Sequence, residues 1–224
     1  VFVLLTLFLL LISCKGDVNP FYIQTSDGLK ISANFFPVDS DKGVVLLHML
    51  DGEKNDWNSI VPKLTANKFN VLAIDLRGHG MSSLDWRDFS ETDFSRAVLD
   101  IVVAKSYLEE KGVTKIGVIG ASIGANLALK YASQDKNIDS LVLLSPSFNY
   151  KGVKTSEDVL RFEGSALIIV DKEDSQSADD SLQLYISMKE KGQLMILENV
   201  GHGTAMLKDE RVPEVILSWL KKTI

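Results

Sequence analysis

The sequence predicts an α/β fold in which a mostly parallel central sheet carries helices on both faces. From Phe21 onward, short apolar runs typical of strands alternate with stretches whose apolar residues recur at helical spacing. Runs such as Val-Val-Leu-Leu and Leu-Ile-Ile-Val are apolar throughout, as a strand covered on both faces requires. No internal repeat or low-complexity linker interrupts the pattern, so we expect a single domain over residues 20–224.

The strands follow one another in a simple order. An opening hairpin is expected from Phe21–Gln24 and Leu29–Phe36, joined by a turn at Ser26-Asp27-Gly28. Buried strands are then predicted at Val44–His48, Val71–Asp75, Lys115–Gly120, Leu141–Ser145, Ala166–Val170 and Leu194–Glu198. Apolar residues at helical spacing predict helices around 94–108 and 182–188, and a closing amphipathic helix around 215–220.

Composition and charge exclude several classes of function. The 224 residues include 24 Lys and Arg against 30 Asp and Glu, which gives a net charge of −6. Since no Lys- or Arg-dense run is present, nucleic acid is not an expected partner. One cysteine cannot form an internal disulfide or a cysteine-based zinc site, and the three histidines lack the close spacing of a metal motif. We therefore expect no metal and no cofactor.

The N-terminal segment resembles a bacterial lipoprotein signal. Val1 to Ile12 is apolar apart from Thr6, which matches a signal-peptide core and is too short to span a bilayer comfortably. Leu11-Ile12-Ser13-Cys14 resembles the lipobox, in which the cysteine thiol receives the lipid. We expect a signal peptide over 1–13, a lipidated Cys14, a tether over 14–19 and a location at the bacterial cell envelope. An uncleaved anchor, or a secretory signal with an incidental cysteine, are the alternatives.

A candidate nucleophile lies between a strand and a helix. Gly120-Ala121-Ser122-Ile123-Gly124 follows the predicted strand and precedes the helical run Ala125–Ala132. Gly120 and Gly124, two positions before and after Ser122, allow the sharp turn that presents a serine hydroxyl at a helix N-terminus. The alternative interpretation is a glycine-rich turn before a helix, without catalytic meaning.

From Phe21 to Trp219, the sequence resembles the α/β-hydrolase family. The resemblance is carried by the serine motif, by Asp75-Leu76-Arg77-Gly78-His79-Gly80-Met81-Ser82, and by Gly201-His202-Gly203. It implies an α/β-hydrolase fold and a Ser, Asp, His order of catalytic residues. About twenty residues separate Ser145 from Ala166, too few for the cap domain of many relatives, so we expect a minimal cap or none.

The resemblance also implies which histidine acts as the base. His48, His79 and His202 each follow a predicted strand, so position at the sheet edge does not separate them. The family base follows the last strand, and His202 is the one histidine beyond the nucleophile. We expect His48 and His79 to make structural hydrogen bonds behind the site.

Three carboxylates compete for the role of the acid that orients the base. They are Asp171, Glu173 and Asp174, in one loop after a predicted strand. The family spacing implies Asp174, although Asp171 occupies a place where glycine is common. We expect Asp171 and Glu173 to be solvated loop carboxylates. The alternative role for Asp174 is the N-cap of a helix beginning near Ser177.

Acyl transfer also needs two donors for the developing oxyanion. The resemblance implies the backbone amides of Ile123 and Leu50, with Met49 in place of a usual glycine. Side chains expected to line a shallow pocket are Leu84, Trp86, Phe148, Tyr150 and Met206.

These expectations describe a carboxylesterase-like serine hydrolase that cleaves small or medium acyl esters through an acyl-enzyme. A hydrolase with an aspartate nucleophile is disfavoured because Ser122 fills that position. A thioesterase or a peptidase with the same triad remains an alternative. So does a non-catalytic binding protein on the same fold.

Overall fold

The computed structural model describes residues 21–224. The expected signal peptide over 1–13, the lipidated Cys14 and the tether over 14–19 lie outside the described residues. Within the described part of the chain, no helix is both long enough and apolar enough to cross a membrane.

Ten strands and seven α-helices form in the described chain. The strands are β1 Phe21–Gln24, β2 Lys30–Phe36, β3 Lys42–Leu47, β4 Asn70–Ile74, β5 Lys115–Ala121, β6 Ser140–Leu144, β7 Asn149–Tyr150, β8 Val153–Lys154, β9 Ser165–Asp171 and β10 Gly192–Leu197. The helices are α1 Val61–Ala66, α2 Glu91–Arg96, α3 Val98–Glu110, α4 Ile123–Ala132, α5 Asp158–Arg161, α6 Ser175–Met188 and α7 Arg211–Thr223.

Eight of the strands form one sheet in the order β1-β2-β4-β3-β5-β6-β9-β10. The β1–β2 and β2–β4 pairs are antiparallel, and all other neighbours are parallel. The prediction of a mostly parallel sheet is therefore confirmed. Because β3, β4, β5, β6, β9 and β10 run in one direction, the loops that follow them share one edge of the sheet.

Each face of the sheet packs against its own layer of helices. Along β3, Val45 and Leu47 belong to one apolar cluster, and Val44 and Leu46 belong to the other. The first cluster includes side chains of α2, α3, α4 and α6, and the second includes those of α1 and α7. This alternation explains the apolar runs of the sequence, since every position of a doubly covered strand faces a core.

Several elements differ from the prediction. Four predicted strands end one residue earlier than expected, so that His48, Asp75, Ser145 and Glu198 begin loops at the carboxyl edge. The predicted helix over 94–108 is divided at Ala97, where α2 ends and α3 begins. The segment between β6 and β9 contains the β7–β8 hairpin and the single turn α5, and no cap domain.

Candidate active site

Ser122 occupies a sharp turn between β5 and α4. Its φ of 52° and ψ of −115° are strained for a residue with a side chain. The Ser122 amide donates to the Leu144 carbonyl at 2.8 Å, and its carbonyl accepts from the Ala125 amide at 2.9 Å. Bonds to a neighbouring strand and to the following helix therefore hold the serine in this conformation.

The two glycines of the serine motif have a packing role. A Cβ on Gly124 would lie 2.5 Å from the Leu47 carbonyl oxygen, and a Cβ on Gly120 would collide with the Gly124 carbonyl. Glycine at both positions thus lets α4 begin directly against the ends of β3 and β5. This close approach places the first amides of α4 beside the loop that follows β3.

Asp174 and His202 form a direct pair. His202 Nδ1 lies 2.5 Å from Asp174 Oδ2. Since a carboxylate accepts, Nδ1 carries the proton and the neutral ring offers Nε2 as a base. Asp174 does occupy the N-cap position of α6, but its side chain makes no capping hydrogen bond. Asp174 is thus the N-cap residue of α6, but its carboxylate orients His202 and does not cap the helix.

The expectation that Asp171 is a solvated loop carboxylate is wrong. Asp171 ends β9 and is 3% exposed. Its Oδ2 accepts from the amides of Val200 and Gly201, each at 2.6 Å. Burial by itself would raise the pKa of this carboxyl, but hydrogen bonds with Glu173, Gly201 and Val200 lower it to about 2. Asp171 is therefore an ionised, buried acceptor that holds the loop carrying His202.

Two further side chains hold the histidine loop. The exposed Glu173 accepts from the Asn199 amide through Oε2 at 3.1 Å, and Ser145 Oγ accepts from the Gly203 amide at 3.2 Å. Sequence reasoning did not find these positioning roles. Three positive φ angles in the loop, at Asn199, Gly201 and Gly203, turn its amides toward these acceptors. The available signal in the sequence was Asp171 itself, a carboxylate at a position where the family usually has glycine.

The two amides expected to bind the oxyanion remain free. Ile123 is the first residue of α4, and its amide and that of Leu50 donate to no described residue. The Gly52 amide donates to the Met49 carbonyl at 3.0 Å, which closes the turn that contains Leu50. The Met49 side chain lies against Gly203, because a Cβ added to Gly203 would be 2.8 Å from Met49 Sδ. Glycine at 203 therefore accommodates methionine at 49.

His48 and His79 form hydrogen bonds with backbone groups and none with Ser122 or Asp174. His48 Nδ1 lies 2.7 Å from the Met49 carbonyl, and its Nε2 accepts from the Leu76 amide at 3.0 Å. His79 Nδ1 lies 3.0 Å from the Arg77 carbonyl. Burial lowers the pKa of both rings, that of His48 to about 4. Both histidines are neutral near pH 7 and have structural contacts, as expected.

The Asp174–His202 pair opens into a cavity of about 280 Å³ that also contains Ser122. Its lining residues are Ser122, Ser145, Ser147, Asn149, Tyr150, Asp174, Gln176, Ser177, Asp180 and His202. Across residues 21–224, no group of three or more His, Cys, Asp or Glu side chains is placed to hold a metal ion.

The expectation that five side chains line a shallow pocket at the site is wrong for four of them, and Tyr150 alone of the five lines this cavity. Phe148 packs against one core, and Met206 is fully buried in the other. Leu84 and Trp86 line a separate cavity of about 270 Å³, between the loops that follow β3 and β4. Phe148 and Met206 thus turn inward to the cores, and residues with polar groups surround Ser122.

Comparison with known proteins establishes the family. A family model for the alpha/beta hydrolase fold matches residues 43–165, more than half of the chain. The chain therefore belongs to the α/β-hydrolase family. The matched stretch begins in β3, contains the serine turn and ends at the start of β9.

Individual relatives match parts of the sequence or the whole fold. An uncharacterised protein of Mycobacterium tuberculosis is 32% identical over 107 residues, which are 47% of this chain and 29% of that protein. A soluble epoxide hydrolase of a Corynebacterium species is 33% identical over 95 residues, 42% of this chain and 31% of that enzyme. The chain thus matches less than a third of the length of either relative.

Among solved structures, an esterase of Pyrococcus furiosus superposes with a TM-score of 0.80 at 20% identity. The superposition covers 92% of this chain and 90% of the esterase. At this identity the likeness concerns the fold.

Proposed function

We propose that the protein is a serine hydrolase that cleaves small or medium acyl esters through an acyl-enzyme. The observation that carries the proposal is the 2.5 Å contact between His202 Nδ1 and Asp174 Oδ2 in the cavity that contains Ser122. Ser122 is held at a positive φ, at a cost on the order of 1–3 kcal/mol, in the turn that places it in this cavity. The esterase title of a structural neighbour agrees with this class of substrate.

The proposed reaction has two steps. Ser122 Oγ attacks the ester carbonyl while His202 Nε2 takes the hydroxyl proton, and Asp174 stabilises the imidazolium that forms. The amides of Ile123 and Leu50 donate to the oxyanion. His202 then gives the proton to the leaving alcohol. In the second step His202 takes a proton from water, the water oxygen attacks the acyl carbon, and the proton passes to Ser122 Oγ as the acid leaves.

A fluorophosphonate probe tests this proposal. We expect covalent labelling at Ser122, identified by peptide mass spectrometry, because four serines line the cavity and any of them could in principle react. Ser122→Ala should abolish labelling, and the same substitution at Ser187, which is half-buried and outside the cavity, should not change it. A folded protein that neither reacts with the probe nor hydrolyses esters would support the non-catalytic binding protein instead. Thioester and amide substrates distinguish a thioesterase or a peptidase.

We also propose that the protein is attached to the bacterial cell envelope through a lipid on Cys14. The support is the Leu-Ile-Ser-Cys sequence after an apolar run. Bacterial expression with labelled palmitate tests it, since Cys14→Ala should lose both the label and the membrane association. Retention of the label in that variant would contradict lipidation at this residue.

A further inference from the structure

The catalytic cavity presents many hydrogen-bonding groups. All ten lining residues carry a hydroxyl, amide, carboxylate or imidazole group, and no Leu, Ile, Val, Phe or Met is among them. These groups lie beside the apolar atoms of the same side chains, so a bound substrate can make hydrogen bonds as well as apolar contacts. The cavity is therefore suited to a substrate that itself forms hydrogen bonds.

One side chain in this wall has no partner. Ser177 lies in the first turn of α6, is 6% exposed and faces the cavity. Its hydroxyl makes no hydrogen bond with any described residue, and its oxygen is accessible from the cavity. A ligand in the cavity would supply the missing partner.

A carboxylate lies three residues further along the same helix face. Asp180 Oδ2 accepts from the Phe148 amide at 3.0 Å, and Oδ1 accepts from Gln176 Nε2 at 3.1 Å. These bonds fix the carboxylate, and each oxygen keeps a second acceptor site. Residues at i and i+3 are neighbours on a helix, so Asp180 and Ser177 can contact one group of a ligand.

The charge of the cavity restricts which group that is. No Lys or Arg side chain lines the cavity, as far as the chain is described. A carboxylate or a phosphate on the substrate would therefore face Asp180 without a counter-charge. A hydroxyl can donate to Asp180 and accept from Ser177 at once, and a hydrogen bond to a charged acceptor is among the stronger ones.

We propose that the cavity selects esters that carry a hydroxyl group close to the scissile carbonyl, and that Ser177 and Asp180 bind this hydroxyl. This inference rests on the proposed function and narrows its substrate class. It assigns substrate specificity to α6, the helix whose N-cap residue is Asp174.

Paired esters that exchange a hydroxyl for a methyl group test the inference. Ethyl β-hydroxybutyrate is compared with ethyl isovalerate for the acyl side, and hydroxyethyl butyrate with propyl butyrate for the alcohol side. We expect kcat/KM to favour the hydroxyl ester by about tenfold or more in at least one pair, as for a hydrogen bond to a charged group. Equal rates in both pairs, or a preference for methyl, would overturn the inference. So would a preference for ethyl β-aminobutyrate over all of them.

Three variants locate the selectivity. Ser177→Ala and Asp180→Asn should bring the ratio of hydroxyl to methyl ester close to one, mainly by slowing the hydroxyl ester. Asp179→Asn is the matched control, because Asp179 is adjacent, exposed and outside the cavity. It should keep the wild-type ratio. A ratio unchanged in both Ser177→Ala and Asp180→Asn would contradict the assignment to these residues.

Binding separates this inference from the proposed function. In Ser122→Ala, saturation-transfer NMR should show the hydroxyl ester binding more tightly than its methyl counterpart, and this measurement needs no turnover. If the fluorophosphonate labels Ser122 but the hydroxyl ester has no advantage in binding or rate, the inference fails and the proposed function stands. If labelling and turnover are absent while the binding preference is present, the proposed function fails alone.

Discussion

Two groups of loops at the same sheet edge use similar residues in different ways. The loops after β3 and β4 contain two histidines, and three of their charged side chains, Lys54, Asp75 and Arg77, are buried in ion pairs. Lys54 Nζ lies 2.5 Å from Asp75 Oδ2, and Arg77 lies 2.8 Å from Asp100, with every partner at most 3% exposed. The loops after β9 and β10 also contain a histidine and acids, but the Asp174–His202 pair opens into the cavity.

The difference shows that the surroundings of a histidine and an acid decide whether they hold a loop in place or are accessible from a cavity. In the first group, Asp75 accepts from the Lys54 and Met81 amides as well as from the lysine ammonium, so its oxygens are occupied. Such a network fixes loop shape, and removing one partner leaves a buried charge unpaired. In the second group, Asp171 takes this structural role and leaves Asp174 free to act on His202.

The largest expected effect is the loss of activity in Ser122→Ala. Without the nucleophile, ester turnover should fall by at least about 10⁴-fold, by analogy with other serine hydrolases. Steady-state kinetics measure this, and thermal melts should show that the protein still folds. Ser122→Gly should be as inactive but more stable than Ser122→Ala by about 1 kcal/mol, because glycine adopts the positive φ without strain. Substantial turnover in either variant would reject Ser122 as the nucleophile.

The next effect is that of Asp174→Asn. An amide cannot stabilise the imidazolium and favours the wrong tautomer of His202, so kcat should fall by as much as about 10⁴-fold while the fold is kept. Glu173→Gln, in the same loop, should change kcat by under about tenfold, since Glu173 is exposed and glutamine keeps an acceptor for the Asn199 amide. A near-wild-type Asp174→Asn would reject the acid assignment.

In the first loop group, the effect should appear in stability. Asp75→Asn leaves the buried Lys54 ammonium without its counter-charge, and we expect a loss of about 3–5 kcal/mol in the free energy of unfolding. Asp85→Asn breaks an exposed pair with Arg87 and should leave the free energy of unfolding almost unchanged. Urea unfolding measures both. If the two variants were equally stable, the loops after β3 and β4 would not depend on their buried charges.

The sequence predicted all eight strands of the main sheet, because six are largely apolar runs and the first two flank the turn at Ser26-Asp27-Gly28, and it placed Ser122 correctly at the turn between β5 and α4. It missed α1, α5 and the β7–β8 hairpin, which are too short to show a period. The cavity lining was not predictable either. Phe148 and Met206 are buried by contacts with distant elements, and Asp171 is buried by amides about 30 residues further along the chain.

Asp171→Asn gives a smaller effect that sharpens the comparison, because it should disturb both stability and rate. An asparagine oxygen in the place of Oδ2 accepts both amides more weakly than a carboxylate, and its NH₂ group then faces the Glu173 amide that Oδ1 accepts at 3.0 Å, at a cost of about 1–3 kcal/mol. The displaced His202 loop should lower kcat by up to about 100-fold with little change in KM. An effect no larger than that of Glu173→Gln would show that Asp171 does not position the loop.

The pH dependence of unfolding tests the same residue independently of activity. The pKa of Asp171 is about 2 in the folded protein, against 3.8 for an ordinary aspartate. Between these values the unfolded chain binds more protons, so the stabilisation is fully present above about pH 4 and is lost as the pH falls toward 2. Asp171→Asn cannot titrate, and its stability should fall less steeply than that of the wild type over this window. Thermal melts in a series of acidic buffers measure the two slopes. Parallel slopes would mean that the amides of Val200 and Gly201 do not hold the carboxylate in its ionised form.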